Sequence, residues 1–217
     1  MITAVEIVDY VGYEHYLLVG KQNGHIHHYR VDFESIDDLI QYPDDSLYPG
    51  FYYKSILRHH SKEIISMKYN CYLNLWISTS KDGYVHIWNY NGYPLFSVFI
   101  KTKNAKYAIL ASDPIPCFVV YHNNELNCYI LGQITPVRKL EIKSELYNFE
   151  IIKSNNFEDF LICQDDDKIF IISLPYLEII HEINEKFTSF DYLSNDKIII
   201  GFFRHENENK VTIKKIK

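Results

Sequence analysis

Along the chain, short runs rich in Ile, Val, Tyr and Phe alternate from end to end with clusters of Asn, Asp, Gly and Lys. No stretch keeps apolar residues at the 3.6-residue spacing of an amphipathic helix over three turns. Strand-length apolar runs bounded by turn-forming residues dominate instead, so the chain is expected to be all-β. Predicted strands run Thr3–Val8, His15–Val19, Gly24–Arg30 and Tyr52–Leu57, then Ile64–Tyr69, Leu75–Thr79, Tyr84–Asn89 and Leu95–Ile100. A third group is Lys106–Ala111, Cys117–His122, Leu126–Leu131 and Arg138–Ile142, and a fourth Phe149–Lys153, Phe160–Cys163, Lys168–Ser173 and Glu178–Ile183. Thr188–Tyr192, Ile198–Phe202 and Lys210–Lys217 close the chain.

The turn Asp82-Gly83 lies between Leu75-Trp76-Ile77-Ser78 and Tyr84-Val85-His86-Ile87-Trp88. The same shape returns at Asn23-Gly24, Asn123-Asn124, Asp166-Asp167 and Glu208-Asn209, giving successive intervals of 59, 41, 43 and 42 residues. Three of these match the roughly 40–45-residue period of a four-stranded propeller blade. The long first interval holds a polar insertion, residues 32–50. The expected architecture is a partial WD-repeat β-propeller of about five four-stranded blades, roughly residues 1–57, 58–100, 101–143, 144–184 and 185–217.

The best-formed unit carries His60 in its incoming loop, then Ser78, Ser80, Asp82, Gly83 and Trp88, the pieces of a WD repeat. A hydrogen-bonded relay explains the spacing: Asp82 accepts from His60 and from backbone amides, and His60 reaches a strand hydroxyl that meets the Trp88 indole N–H. Either Ser78 or Ser80 can supply that hydroxyl. The corresponding tryptophan position holds Tyr29, Tyr129, Ile172 and Lys214 in the other units, which keep the strand pattern without the relay.

Further features extend the pattern. Tyr48-Pro49 lies in the insertion, and Asn91-Gly92 and the strand Leu95 to Ile100 follow the His60 to Trp88 blade. Next come Phe118-Val119-Val120-Tyr121-His122, Glu125-Leu126-Asn127-Cys128-Tyr129, Leu174-Pro175-Tyr176-Leu177-Glu178-Ile179-Ile180, and the closing segment Phe187 to Lys217. In these elements, and most strongly from Leu47 to Ile142, the chain resembles the C-terminal WD-repeat propeller of BEACH-domain proteins, the neurobeachin and beige-type scaffolds of membrane trafficking. The resemblance implies a non-catalytic scaffold that docks protein partners at vesicle or endomembrane surfaces, next to a BEACH domain. That domain has no counterpart here, and five units fall short of the usual seven blades, so the chain is expected to be part of a larger protein. WD-repeat adaptors of coats or ubiquitin ligases are the alternative within the same class.

Composition narrows the function. With 47% apolar and 16% aromatic residues in 217, the chain can bury a sizeable core, and disorder is excluded. A net charge of −6 lacks the footprint of a protein that tracks phosphate backbones, so nucleic acid is not an expected partner. Cys71, Cys117, Cys128 and Cys163 stand apart with no C-x-x-C pair, which fits a reduced, cytoplasmic setting. The longest apolar run, Ile198 to Phe203, is far short of the roughly 20 residues that span a bilayer, so membrane contact is expected to be peripheral.

Candidate chemistry is sparse. His15, His25, His27 and His28 invite a metal site and, with it, a metal-dependent enzyme, but no second ligand cluster lies at metal-binding spacing. Asp165-Asp166-Asp167 lacks the alternating oxygens of a calcium loop and reads as a hairpin turn, with Asp166 aligned on Asp82. Phe202-Phe203-Arg204-His205 carries one Arg where phosphoinositide-binding propellers carry two, and Lys210, Lys214, Lys215 and Lys217 read as a solvated edge strand. No catalytic constellation stands out, so no enzyme, cofactor or metal is expected. Partners are expected at the propeller rim and loops, above all at Asp37, Asp38, Tyr42, Asp44, Asp45 and Tyr48 of the insertion.

Overall fold

The computed structural model describes residues 1–10, 14–32, 51–100, 105–153, 158–184, 189–193, 198–205 and 208–215. Residues 33–50, with the six insertion positions expected to meet partners, lie outside the described residues. Every regular element among the described residues is a β-strand. The first eight are β1 (Ile2–Tyr10), β2 (Glu14–Lys21), β3 (Ile26–Val31), β4 (Phe51–Leu57), β5 (Ile64–Asn70), β6 (Leu75–Ser80), β7 (Tyr84–Asn89) and β8 (Pro94–Phe99). They are followed by β9 (Tyr107–Ala111), β10 (Cys117–His122), β11 (Glu125–Ile130), β12 (Arg138–Glu141), β13 (Tyr147–Lys153), β14 (Asp159–Gln164), β15 (Ile169–Ser173) and β16 (Ile179–Ile183). The last three are β17 (Ser189–Leu193), β18 (Ile198–His205) and β19 (Glu208–Lys215).

These strands form β1-β2-β3-β4, β5-β6-β7-β8, β9-β10-β11-β12, β13-β14-β15-β16 and a three-stranded β17-β18-β19. Sequence neighbours are sheet neighbours throughout, as expected where short turns join antiparallel strands. The last sheet departs from the expected four strands among the described residues. His205 pairs with Glu208, so Glu208-Asn209 opens β19 instead of forming the turn.

The chain divides into two compact units, Met1–Leu110 and Ala111–Lys217, with the boundary inside β9. In the first unit, Val8, Tyr16, Leu18 and Ile26 of the first sheet pack on Ile64, Met67, Trp76 and Trp88 of the second. Each such buried aliphatic side chain contributes about 1.5–3 kcal/mol. Gly20 permits the approach of β2 to β5, since a Cβ there would lie 2.8 Å from Ile64 Cγ2. In the second unit, Ile152, Ile162, Ile169 and Ile171 form a core flanked by Phe160 and Ile183.

Burial explains the apolar runs. The middle strands are covered on both faces, as in β6 and β10, so alternation gives way to near-continuous apolar sequence. The fourth strands are outer edges and carry more exposed positions, as in β8, β12 and β16. Pro94 at the start of β8 suits an edge, where its missing N–H interrupts no ladder.

Candidate protein-interaction site

The second sheet brings His60, Ser78, Asp82 and Trp88 together. Trp88 on β7 pairs across the strand with Trp76 on β6, and the two indoles stack at 4.7 Å with 4° between their planes. Trp88 Nε1 donates to Ser78 Oγ at 2.9 Å, and Ser78 Oγ lies 2.8 Å from His60 Nε2. His60 Nδ1 is 3.1 Å from Asp82 Oδ2. One arrangement gives every hydrogen an acceptor: the Ser78 hydroxyl donates to His60 Nε2, and His60 Nδ1–H donates to Asp82.

Asp82 also accepts from the amides of Ser61 at 2.8 Å and Tyr84 at 2.9 Å. Burial raises its pKa, but the hydrogen bond from His60 and the two amides outweigh this and hold the carboxyl well below the usual range. Ser80 stands outside the chain of bonds: its Oγ donates to Lys62 O at 2.8 Å and accepts from Asp82 N at 3.2 Å, tying the incoming loop to the turn. Gly24, at φ +83°, packs on the same loop from the first sheet, where a Cβ would sit 2.6 Å from His60 O and 2.7 Å from Lys62 O.

The degenerate units use other devices. Phe118 and Tyr129 stack at 4.8 Å and 4°, repeating the Trp76–Trp88 arrangement in the third sheet. In the fourth, Asp165 accepts from the amides of Asp167 at 2.8 Å and Lys168 at 2.7 Å and from the Ser144 hydroxyl. Asp165, one residue earlier than Asp166, therefore plays the part of Asp82. The same unit holds a buried carboxylate, Asp159, that accepts from the amides of Ser112 at 2.6 Å and Asp113 at 3.1 Å and meets Lys153 Nζ at 2.9 Å. The sequence reading missed this cluster, although an acid opening the apolar run Phe160-Leu161-Ile162 is a legible signal.

The histidines do not converge. His28 is fully buried against Tyr16, while its neighbour His27 is on the opposite face beside Tyr29, and His25 is hydrogen-bonded to Asn23. Burial, with Lys54 nearby, lowers the His28 pKa to about 4. No group of three or more His, Cys, Asp or Glu among the described residues is placed to hold a metal ion. The backbone of β18 and β19 carries Arg204, Lys210, Lys214 and Lys215, with Arg204 paired to Asn209.

Three exposed apolar groups share one face of β1. On β1, Ala4 and Val8 turn toward the second sheet, and Glu6 Oε1 accepts from Tyr69 N at 2.8 Å. Ile2, Val5 and Ile7 are 55%, 54% and 55% exposed. Val5 pairs with Val19, and Ile7 with Leu17. The corresponding pairs in the second sheet, Met67 with Ser78 and Tyr69 with Trp76, place Met67 and Trp76 in the core against the first sheet. On this face the first sheet leaves Ile2, Val5 and Ile7 of β1 exposed, with Val19 of β2 buried, where the second sheet buries Met67 and Trp76.

No family model matches the sequence, and no curated protein matches it either. Among solved structures, a chain in the crystal structure of a mitotic checkpoint complex is similar, with a TM-score of 0.64 and 15% identity. The alignment covers 93% of this chain but only 60% of that one. The likeness shows the fold, an all-β WD-repeat propeller type, in which each four-stranded sheet corresponds to one blade.

Proposed function

We propose that the chain is a non-catalytic protein-interaction scaffold, the WD-repeat part of a BEACH-type protein that works in the cytoplasm at vesicle or endomembrane surfaces. The observation that carries the scaffold reading is the exposed Ile2, Val5 and Ile7 face. It has the register of a blade-to-blade surface, and apolar faces of this kind bury themselves against another protein surface. The expected cover is a further antiparallel blade with an apolar face like that of Val8, Tyr16, Leu18 and Ile26. The trafficking role and the adjoining BEACH domain rest on the sequence resemblance from Leu47 to Ile142. A WD-repeat adaptor of a coat or ubiquitin ligase fits the fold equally, because the structural relative is itself part of a protein complex.

Immunoblotting of the native protein, with membrane fractionation, tests the reading. A band several times larger than 25.8 kDa in the endomembrane fraction is expected. A band at 25.8 kDa confined to the soluble fraction overturns the BEACH assignment. Retention of native partners by a Val5→Asp, Ile7→Asp variant overturns the role of the exposed face.

A further inference from the structure

A second surface of the first unit has a chemistry that the relay does not use. Tyr16, Arg30, Tyr52, Tyr53, Lys54 and Asn91 line a hollow of about 550 Å³ between the first sheet and the β7–β8 turn. Lys54 Nζ lies 4.3 Å from the centre of the Tyr16 ring and donates to Tyr16 Oη at 3.3 Å and Asn91 Oδ1 at 3.2 Å. An ammonium has three donors, so one N–H remains. The Arg30 guanidinium carbon lies 5.5 Å from the centre of the Tyr52 ring. Neither cation pairs with a carboxylate among the described residues. Tyr52 and Tyr53 are 51% and 58% exposed.

We propose that this hollow docks an acidic segment of a partner protein, with a Glu or Asp carboxylate on Arg30 and Lys54 and a neighbouring apolar side chain against Tyr52. The guanidinium matches a carboxylate through two parallel N–H bonds, and the ring beneath it holds its plane without consuming those donors. Tyrosines supply contact area at low entropic cost because each has few rotatable bonds. A concave site with two cations suits a single side-chain carboxylate, which can enter it, better than a flat anionic bilayer. The site names one ligand class for the scaffold proposed above and rests on that reading.

The test is fluorescence anisotropy of the full chain with a capped, labelled pentapeptide of four glutamates and one phenylalanine. Saturable, salt-sensitive binding is expected. Arg30→Gln with Lys54→Gln weakens it at least about tenfold, the loss of roughly one charge-assisted hydrogen bond. Arg30→Lys falls between the two, and Lys81→Gln, at an exposed lysine paired with Glu63, leaves binding unchanged. Far-UV circular dichroism checks that each variant stays folded. Equal binding by the double variant, equal binding of a glutamine-for-glutamate peptide, or binding only to phosphatidylserine vesicles overturns the proposal. Failure here, with native partners still lost from the Val5→Asp, Ile7→Asp variant, removes the hollow while leaving the scaffold reading in place.

Discussion

Replacing Ser78 by Ala removes one oxygen and strands two nitrogens. Trp88 Nε1 loses its acceptor at 2.9 Å and His60 Nε2 its donor at 2.8 Å, and the Trp88 side chain has no access to water. Leaving a buried donor or acceptor unpaired costs about 1–3 kcal/mol each, so the expected loss is about 2–6 kcal/mol. Ser80→Ala removes only the bonds to Lys62 O and Asp82 N at the edge of the network, for about 1 kcal/mol. The assay is urea unfolding followed by far-UV circular dichroism. With a slope of about 2 kcal/mol per molar, Ser78→Ala lowers the midpoint by about 1–3 M and Ser80→Ala by about 0.5 M. Adding Trp88→Phe to Ser78→Ala deletes the orphaned N–H, so the double variant loses less than the sum of the singles, by about 1 kcal/mol or more. Equal midpoint shifts for Ser78→Ala and Ser80→Ala, or strict additivity with Trp88→Phe, refute the relay.

Other outcomes follow from the same geometry. His28 and His86 are held neutral, near pKa 4, chiefly by burial, with Lys54 adding to this at His28 and His60 at His86. Their unfolded value is about 6.5, so their contribution is complete above pH 6.5 and is lost as pH falls toward 4, by about 3 kcal/mol per group. Melting temperatures at pH 7 and pH 4.5 check this, and an unchanged value excludes it. Asp82 has the opposite chemistry in a lower window: its depressed carboxyl stabilises the fold above its ordinary pKa near 4 and loses that effect as pH falls further. Asp82→Asn is therefore expected to remove stability at pH 6 and to flatten the acid limb below pH 4 in a denaturation series. Asp159→Ala leaves the amides of Ser112 and Asp113 without their acceptor, while Lys153 keeps Asp113 at 2.6 Å, and is expected to cost about 1–3 kcal/mol by urea midpoint. Gly24→Ala, at φ +83° against two carbonyls, is expected to cost more than about 1 kcal/mol in the same assay.

The relay and its substitutes divide the structural work between the blades. In the second sheet one hydrogen-bonded chain runs from Trp88 to Asp82, binding strand, loop and turn into a unit. In the third, a ring stack at the Trp88-equivalent position supplies packing without polar bonds, and the Tyr121 hydroxyl receives the Leu146 amide at 2.9 Å. In the fourth, Asp165 holds its own hairpin and the Ser144 hydroxyl. The third and fourth sheets therefore fill these positions with different chemistry.

The strand order, the hairpins and the relay spacing were legible in the sequence because they depend on neighbours along the chain. Turn residues such as Asp82-Gly83 set local backbone geometry, and apolar runs mark strands covered on both faces. Which serine joins the relay was not legible. Both lie on β6, where nearly every position is buried, so alternation cannot separate them; only the approach of the His60 loop chooses Ser78. The hairpin partner in the fourth sheet was misplaced by one residue for a related reason, since Asp165 and Asp166 differ only in which one meets the amides of the turn. The Asp159–Lys153 cluster joins β13 and β14 to the segment before β10, a contact between distant parts of the sequence. The exposure of Ile2, Val5 and Ile7 is tertiary as well. The same apolar pattern lies in the core in β5, because burial depends on what stands across the face, and a strand's own sequence carries no record of its neighbour.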